Sequence, residues 1–295
     1  MKELEKKYSV AAFIDILGYK ELILKESLER ELELFNDLKE AIDKAIEYTA
    51  KSIKSTLEYL DKSSSSRESL AKRLNVKQFS DNIYFSFDYS NNNNLDLYFG
   101  IYIITAISCL YQRLMIGKGY FVRGGIAIGL NMVDDNFIFS TALIKAVETE
   151  KETIYPRITM HKELRDIFIE AQDNPFKALS QGQLVQDWSE NVFLNPFFNH
   201  ELLIGEQFKV ITPAELLPFI EDISKKQKRL ISKMSAKFSD YFDDAKSKSL
   251  ARQQISFNIK KYRNKQKSIY EKYLWMRYFL RWVNRRPSEL TFKYV

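Results

Sequence analysis

Two aspartates stand where chemistry needs them. Asp15 sits in "VAAFIDILGYKELI", residues 10–23, an otherwise apolar run that reads as a buried strand. A carboxylate there is costly unless it is paired, hydrogen-bonded or bound to a metal. Asp81 sits in "NVKQFSDNIYFSFDY", residues 75–89, whose alternation predicts a strand bent into a hairpin near Asp81. On neighbouring strands, the two carboxylates can hold a pair of divalent ions. Two such ions about 3.5–4 Å apart stabilise the attacking and leaving oxygens of a phosphoryl displacement. The turn Leu17–Gly18–Tyr19 would aim backbone N–H groups at triphosphate oxygens where a helix begins. Gly18 lets that backbone come close. The plainer alternative is an Asp15 satisfied by backbone hydrogen bonds alone.

Composition narrows the choice of ion. The chain has 295 residues, one cysteine (Cys109) and two histidines (His161 and His200). That excludes a disulfide framework and a cysteine-based zinc site, and argues against a histidine-rich one. Oxygen ligands remain, which favour Mg²⁺ or Mn²⁺. The N-terminus lacks the apolar core of a signal peptide, and no apolar run is read as a membrane span, so a cytoplasmic protein is expected. Net charge is +6, but residues 224–286 carry 19 Lys/Arg against 4 Asp/Glu. Such a block is a solvated or internally packed helical face, or an anion-binding surface. No nucleic-acid motif supports the second reading, and neither nucleic acid nor a membrane is an expected partner.

Elements must position the two aspartates. "AAFIDIL" predicts a first strand. From Lys20 to about Asp61 a long amphipathic helix is expected, with Leu32, Phe35, Leu38, Ile42 and Ile46 as its apolar stripe. "SSSSRES", residues 63–69, is a break, and "SNNNN", residues 90–94, a turn. Leu95 to Met115 reads as a buried helix, "GKGYFVRGGIAIGLNM" as a strand, Ala142 to Lys151 as a short helix and "YPRITM" as a strand. "LVQDWSENVFLNPFF" is strand-like with turns, and residues from Ile211 onward are mostly helical, ending in the aromatic-rich "KYLWMRYFLRWVN". The order β–α–ββ–α–β–α–β followed by helices predicts an α+β fold of ferredoxin-like order, an antiparallel sheet with helices on one face. A domain at 1–210 and a helical C-terminal extension at 211–295 are expected, the extension packing on the first domain or on a partner.

Four segments in order resemble class III nucleotide cyclases. "FIDILGY" is similar to their first metal motif and "KQFSDNIYFSF" to their second. "VRGGIAIG" is similar to the strand that follows, and "ALIKAVETEKETIYPRI" to the closing helix and strand. The resemblance covers roughly residues 8–165. "FSD" in place of Gly-Asp, the double glycine of "VRGGI", and "YPRI" after an A-x-x-x-E helix resemble most closely the pyrimidine nucleotide cyclases of Pycsar anti-phage systems. "DWSENVFLNPF" and the terminal aromatic helix are similar to that group as well.

The resemblance implies a reaction. The 3′-oxygen of CTP or UTP would attack the α-phosphorus, giving a 3′,5′-cyclic monophosphate and pyrophosphate. Asp15, Asp81 and the carbonyl of Ile16 would bind two Mg²⁺ or Mn²⁺ ions. Leu17, Gly18 and Tyr19 would meet the β- and γ-phosphates. Lys77, four residues before Asp81, and Phe79 would border the base. The enzyme would act as a homodimer with sites at the interface, and a separately encoded effector would sense the product. One departure matters: the Asn and Arg that many cyclases carry on the late helix align with Ile144 and Glu148. Arg123, Lys145 and Arg157 are the candidates to replace the missing charge. A purine cyclase of the same fold stays open, as does a silent cyclase-like domain whose basic helices bind nucleic acid.

Overall fold

Strand β1 (Lys7–Ile16) organises one half of the sheet, because its neighbours on both sides are set by its register. In the computed structural model it runs antiparallel to β3 (Asn82–Tyr89) and to β4 (Val122–Val133). The structure describes residues 7–20, 23, 28–60, 72–134, 137–170, 183–197, 244–263, 267–284 and 292–294. Strand β2 (Leu74–Phe79) closes a hairpin onto β3. Helix α1 (Leu28–Leu60) follows β1 and α2 (Asn94–Gly117) follows β3. The order β2-β3-β1-β4 with those helices is the expected ferredoxin-like, split β-α-β arrangement. Beyond β4 come β5 (Ile138–Ser140), α3 (Thr141–Glu152), β6 (Ile158–Met160) and α4 (Lys162–Glu170). Then follow β7 (Leu184–Asp187), β8 (Val192–Leu194), α5 (Asp244–Tyr262), α6 (Lys267–Val283) and β9 (Phe292–Tyr294). The full order is β2-β3-β1-β4-β6-β8-β7-β9, with β5 paired to β4 and β6 parallel to β4.

Both faces of the sheet are covered, not one. Val10, Ala12, Ile14 and Ile16 point to the main core, with Leu34 and Leu38 of α1 and Ile101, Ile104 and Met115 of α2. Ala11 points the other way and meets Ala142 of α3. The physical reason is visible in the middle of β1, where Ser9, Ala11 and Phe13 make the second parity small or apolar too, so both faces demand burial. The second face carries small residues on β4. A Cβ added to Gly125 would lie 2.1 Å from the Ala146 carbonyl oxygen and 2.7 Å from Thr149 Cβ. Gly125 therefore permits a close approach of α3 that no side chain would allow. Ser140 caps α3, its Oγ accepting from the Leu143 N–H at 3.0 Å.

The same second face carries α6. Gly125, Thr159, Phe193 and Val185 are register partners in succession across β4, β6, β8 and β7, so they share that face. Phe193 and Val185 pack with Trp275, Met276, Phe279 and Leu280 of α6 and with Phe292 of β9. The C-terminal segment is thus not helical throughout, because "FKY" adds a strand to the sheet edge at β7.

One further expectation is adjusted. In α1 the buried stripe is Leu34, Leu38, Ala41, Ile42 and Ala45, while Leu32 and Phe35 are exposed. Helix α2 is apolar enough to cross a bilayer, with a mean hydropathy of 1.5, yet 78% of that stretch is buried inside the fold. Its Cys109 is a buried core residue. The break at 63–69, the boundary at 210–211 and His200 lie outside the described residues.

Candidate active site

One row of side chains crosses three strands at the C-terminal end of β1. Arg123 of β4, Asp15 of β1 and Asn82 of β3 are register partners in succession, which puts them on the α3 face. Asp81 precedes Asn82 in the two-residue turn that closes the β2–β3 hairpin. Its turn partner Ser80 holds φ 59°, a left-handed conformation that glycine adopts without strain and serine does not. The turn brings the Asp81 carboxylate close enough to Asp15 for its charge to be felt there. Asn82 Nδ2 donates to Asp81 Oδ1 at 3.2 Å.

The charges around Asp15 do not balance. Arg123 Nε and Nη2 lie 3.4 and 3.5 Å from Asp15 Oδ2, long for hydrogen bonds. Arg123 Nε lies 2.5 Å from Oε1 of Glu150, a buried residue of α3. That contact is Coulombic, since Glu150 Oε1 accepts no hydrogen bond. Asp15 and Glu150 thus share one guanidinium, while Asp81 adds a further negative charge beside Asp15. Burial first, and the Asp81 charge second, push the Asp15 carboxyl up to about 6, with Arg123 opposing. Burial raises Glu150 as well, against Arg123, Lys151 and Lys272.

Lys272 enters from α6. Its neighbour Tyr273 meets the Phe121 ring edge-on at 5.7 Å, and Leu17 and Tyr155 pack on the same aromatic cluster. This anchors α6 beside the end of β1. Lys272 there feels Arg123, Glu150 and Asp15 at once; burial, first of all, depresses its pKa.

The other sequence-predicted residues divide. Lys77 and Phe79 of β2 pair with Tyr84 and Asn82, so they lie on the Asp15 face. The Phe79 ring stacks on Phe13 at 6.2 Å and is 41% exposed, leaving an aromatic edge beside the row. Gly18 holds φ 79°, with open space where a Cβ would be, in the turn after β1. The Leu17 N–H donates to the Phe121 carbonyl at 2.9 Å and so closes the strand end rather than facing a ligand. Tyr19 packs against the main core. Lys145 is paired with Glu163 of α4 at 2.5 Å. Arg157 is buried in an ion pair with Asp187 and lies over the rings of Phe193, Tyr155 and Trp275. Of the three candidate cations, Arg123 alone is beside Asp15. Ile144 and Glu148 are both exposed on α3, one turn apart, facing away from the sheet.

Glu150 and Lys272 are the residues that local sequence reasoning passes over. Glu150 had a signal: it falls four residues after Ala146 on the stripe of α3 that must face small residues of β4. Lys272 had none, because a tertiary contact brings it in.

The donor set fits a hard divalent cation. Two adjoining carboxylates, one held up to about 6 by burial and by the other's charge, are what such an ion relieves. Among the described residues no group of three or more His, Cys, Asp or Glu side chains could hold a metal ion, so any ion here would have Asp15 and Asp81 as a two-carboxylate set.

No protein-family profile matches the chain, and no curated protein matches it. Among solved structures, the guanylyl cyclase Cya2 is similar, with 9% identity and a TM-score of 0.35 over 56% of this chain and 79% of that one. A bacterial light-regulated adenylyl cyclase is similar, with 15% identity and a TM-score of 0.34 over 68% of this chain and 56% of that one.

Proposed function

We propose that the protein is a nucleotide cyclase that converts CTP or UTP to its 3′,5′-cyclic monophosphate and pyrophosphate. The observation that carries this reading is the row Arg123–Asp15–Asn82 with Asp81 in the adjoining turn, on the face that Lys77 and Phe79 share. Asp15 and Asp81, with the carbonyl of Ile16, would hold two Mg²⁺ or Mn²⁺ ions. When bound, such ions lower the pKa of the 3′-hydroxyl and neutralise triphosphate charge. The 3′-oxygen forms a bond to the α-phosphorus as the bond to the β-phosphate oxygen breaks, and the hydroxyl proton is released. Arg123 and Lys272 would offset charge on the leaving pyrophosphate. The turn at Gly18 gives the phosphates room, and Phe79 borders the base, whose polar edge meets Lys77.

A second copy of the chain would complete the site. Ile144 and Glu148 face outward where many cyclases present transition-state groups to a partner. Phe137, Phe139 and Ile154 expose apolar surface around α3, which suits a homodimer contact. The motif resemblance further suggests a second-messenger synthase in anti-phage defence, read by a separate effector.

The test is product analysis. Purified protein incubated with each of ATP, GTP, CTP and UTP plus Mn²⁺ is expected to yield a cyclic pyrimidine monophosphate by mass spectrometry. A cyclic purine would keep the mechanism and overturn the base assignment. Cyclisation retained in both Asp15→Ala and Asp81→Ala would sink the mechanism.

A further inference from the structure

The basic block of the C-terminal helices is largely unused by the proposed site. Helices α5 and α6 carry nine lysines and arginines against Asp244 and Glu271. Between them lies an open cavity of about 300 Å³. Ile255 and Leu280, both buried, form its apolar floor. Arg252 of α5 and Arg277 and Arg281 of α6 line it, with Ser256 and Asn284 beside them. Among the described residues no carboxylate lines the cavity, and none of the three guanidiniums forms an ion pair with one. Arg277 and Arg281 are one turn apart on a single helix face, where like charges repel. Arg252 adds a third positive charge from across the groove. Three cations converging on one cavity are relieved by an anion.

The chemistry of the walls selects the anion. Guanidiniums match phosphate with paired, directional donors. The apolar floor suits a flat ring rather than more charge. The volume is at the lower end of small-molecule sites, about right for one nucleotide unit. The groove is also distinct from the cyclase site. Lys272 and Arg277 are five residues apart, about 140° round the helix, so the residue facing Asp15 and the residues facing the groove lie on different sides of α6. We propose that the α5–α6 groove binds a nucleotide unit through its phosphate, either free or as part of a single strand.

The test is fluorescence anisotropy with the full chain in EDTA, in the Asp81→Asn background so that turnover does not intervene. The probes are a fluorescein-labelled 15-nucleotide oligouridylate and a fluorescent uridine monophosphate. Binding is expected to weaken with salt, and Arg277→Ala with Arg281→Ala to weaken it at least about tenfold. The log–log salt slope for the oligonucleotide should fall by about 0.7 for each phosphate that is no longer neutralised. Should that double variant melt early, the exposed Arg252→Glu alone carries the test, with the same direction expected. Weakened binding of both probes assigns a free nucleotide, and weakened binding of the oligonucleotide alone assigns a strand; both support the groove. Wild-type protein that binds neither probe at physiological salt overturns the proposal. So do variants that bind as wild type does. Because no turnover is read, this outcome and that of the cyclase assay are independent.

Discussion

Two arginines on the same sheet meet opposite fates. Arg157 is buried beside Asp187, one cation to one anion, under the rings of Phe193 and Trp275. Asp187 completes its shell by accepting from the backbone N–H groups of Ser189 and Asn191 and from the Ser189 hydroxyl. That centre is closed in charge, although Arg157 Nε is left without an acceptor, and it ties β7 and α6 to the start of β6. Arg123 stands between Asp15 and Glu150, with long contacts to Asp15, a close contact to Glu150 that makes no hydrogen bond, and Asp81 on the far side of Asp15's charge. That centre is open: even with Lys272 beside Arg123, two cations face three carboxylates. The comparison teaches how to tell a structural pair from a reactive one: count the charges and ask which acceptors are left over.

The largest effect should come from the open centre. Asp81→Ala is expected to lower turnover by at least about 10³-fold, because it removes one of two side-chain ligands. Circular dichroism and the melting temperature should stay near those of wild type, since Asp81 lies in a turn. A variant that loses its fold along with its activity would erase the distinction between the two centres.

The closed centre should break the other way. Arg157→Leu leaves Asp187 buried and unpaired, at a cost of about 3–5 kcal/mol. A drop of roughly 10 °C in melting temperature is expected, with any remaining folded protein still binding Mn²⁺. Gly125→Ala comes next, because its Cβ cannot fit under α3 without a shift. Overpacking of this kind costs about 1–3 kcal/mol, and the shift should also move Glu150 off Arg123. A combined fall in stability and kcat is expected.

Asp15→Asn gives the smallest and most telling change. Burial first, and the Asp81 charge second, hold the Asp15 carboxyl up to about 6 in the fold against 3.8 ordinarily. The folded state therefore holds a proton there between those values that the unfolded chain has released. Stability from this group is full below the ordinary value and falls as pH rises through about 6. Without metal, Asp15→Asn should raise the melting temperature at pH 7.5 by a few degrees, on the order of 1 kcal/mol. That gain should shrink towards pH 5, as differential scanning fluorimetry across pH will show.

The open centre was the more legible of the two in the sequence. Asp15 announces itself as a carboxylate in an apolar strand, and Asp81 as the polar tip of an alternating hairpin. Both signals are local. The fates of Arg123 and Arg157 were not local, since each arginine flanks or lies in a strand and each could serve a phosphate. Asp187, 30 residues on, decides for Arg157, and α3 decides for Arg123. Leu32 and Phe35 failed for a related reason: they match a helical period as well as Leu34 and Ala41 do, and the packing of α2 chooses between the two stripes. The two-sided covering of the sheet could have been read from the middle of β1, where Ser9, Ala11 and Phe13 make the second parity small or apolar as well. The closing strand β9 could not, because three residues carry too little pattern.

The central claim is that the Asp15–Asp81 pair is an incomplete site that a divalent cation completes. Isothermal titration of Mn²⁺ into metal-free wild type, Asp15→Asn and Asp81→Asn tests it most directly, with the melting temperature followed in parallel. Wild type should bind and gain about 2.7 kcal/mol of stability at a hundredfold excess over Kd, while both variants lose the binding and the gain. Equal Mn²⁺ binding in all three proteins, or none in wild type, would contradict it.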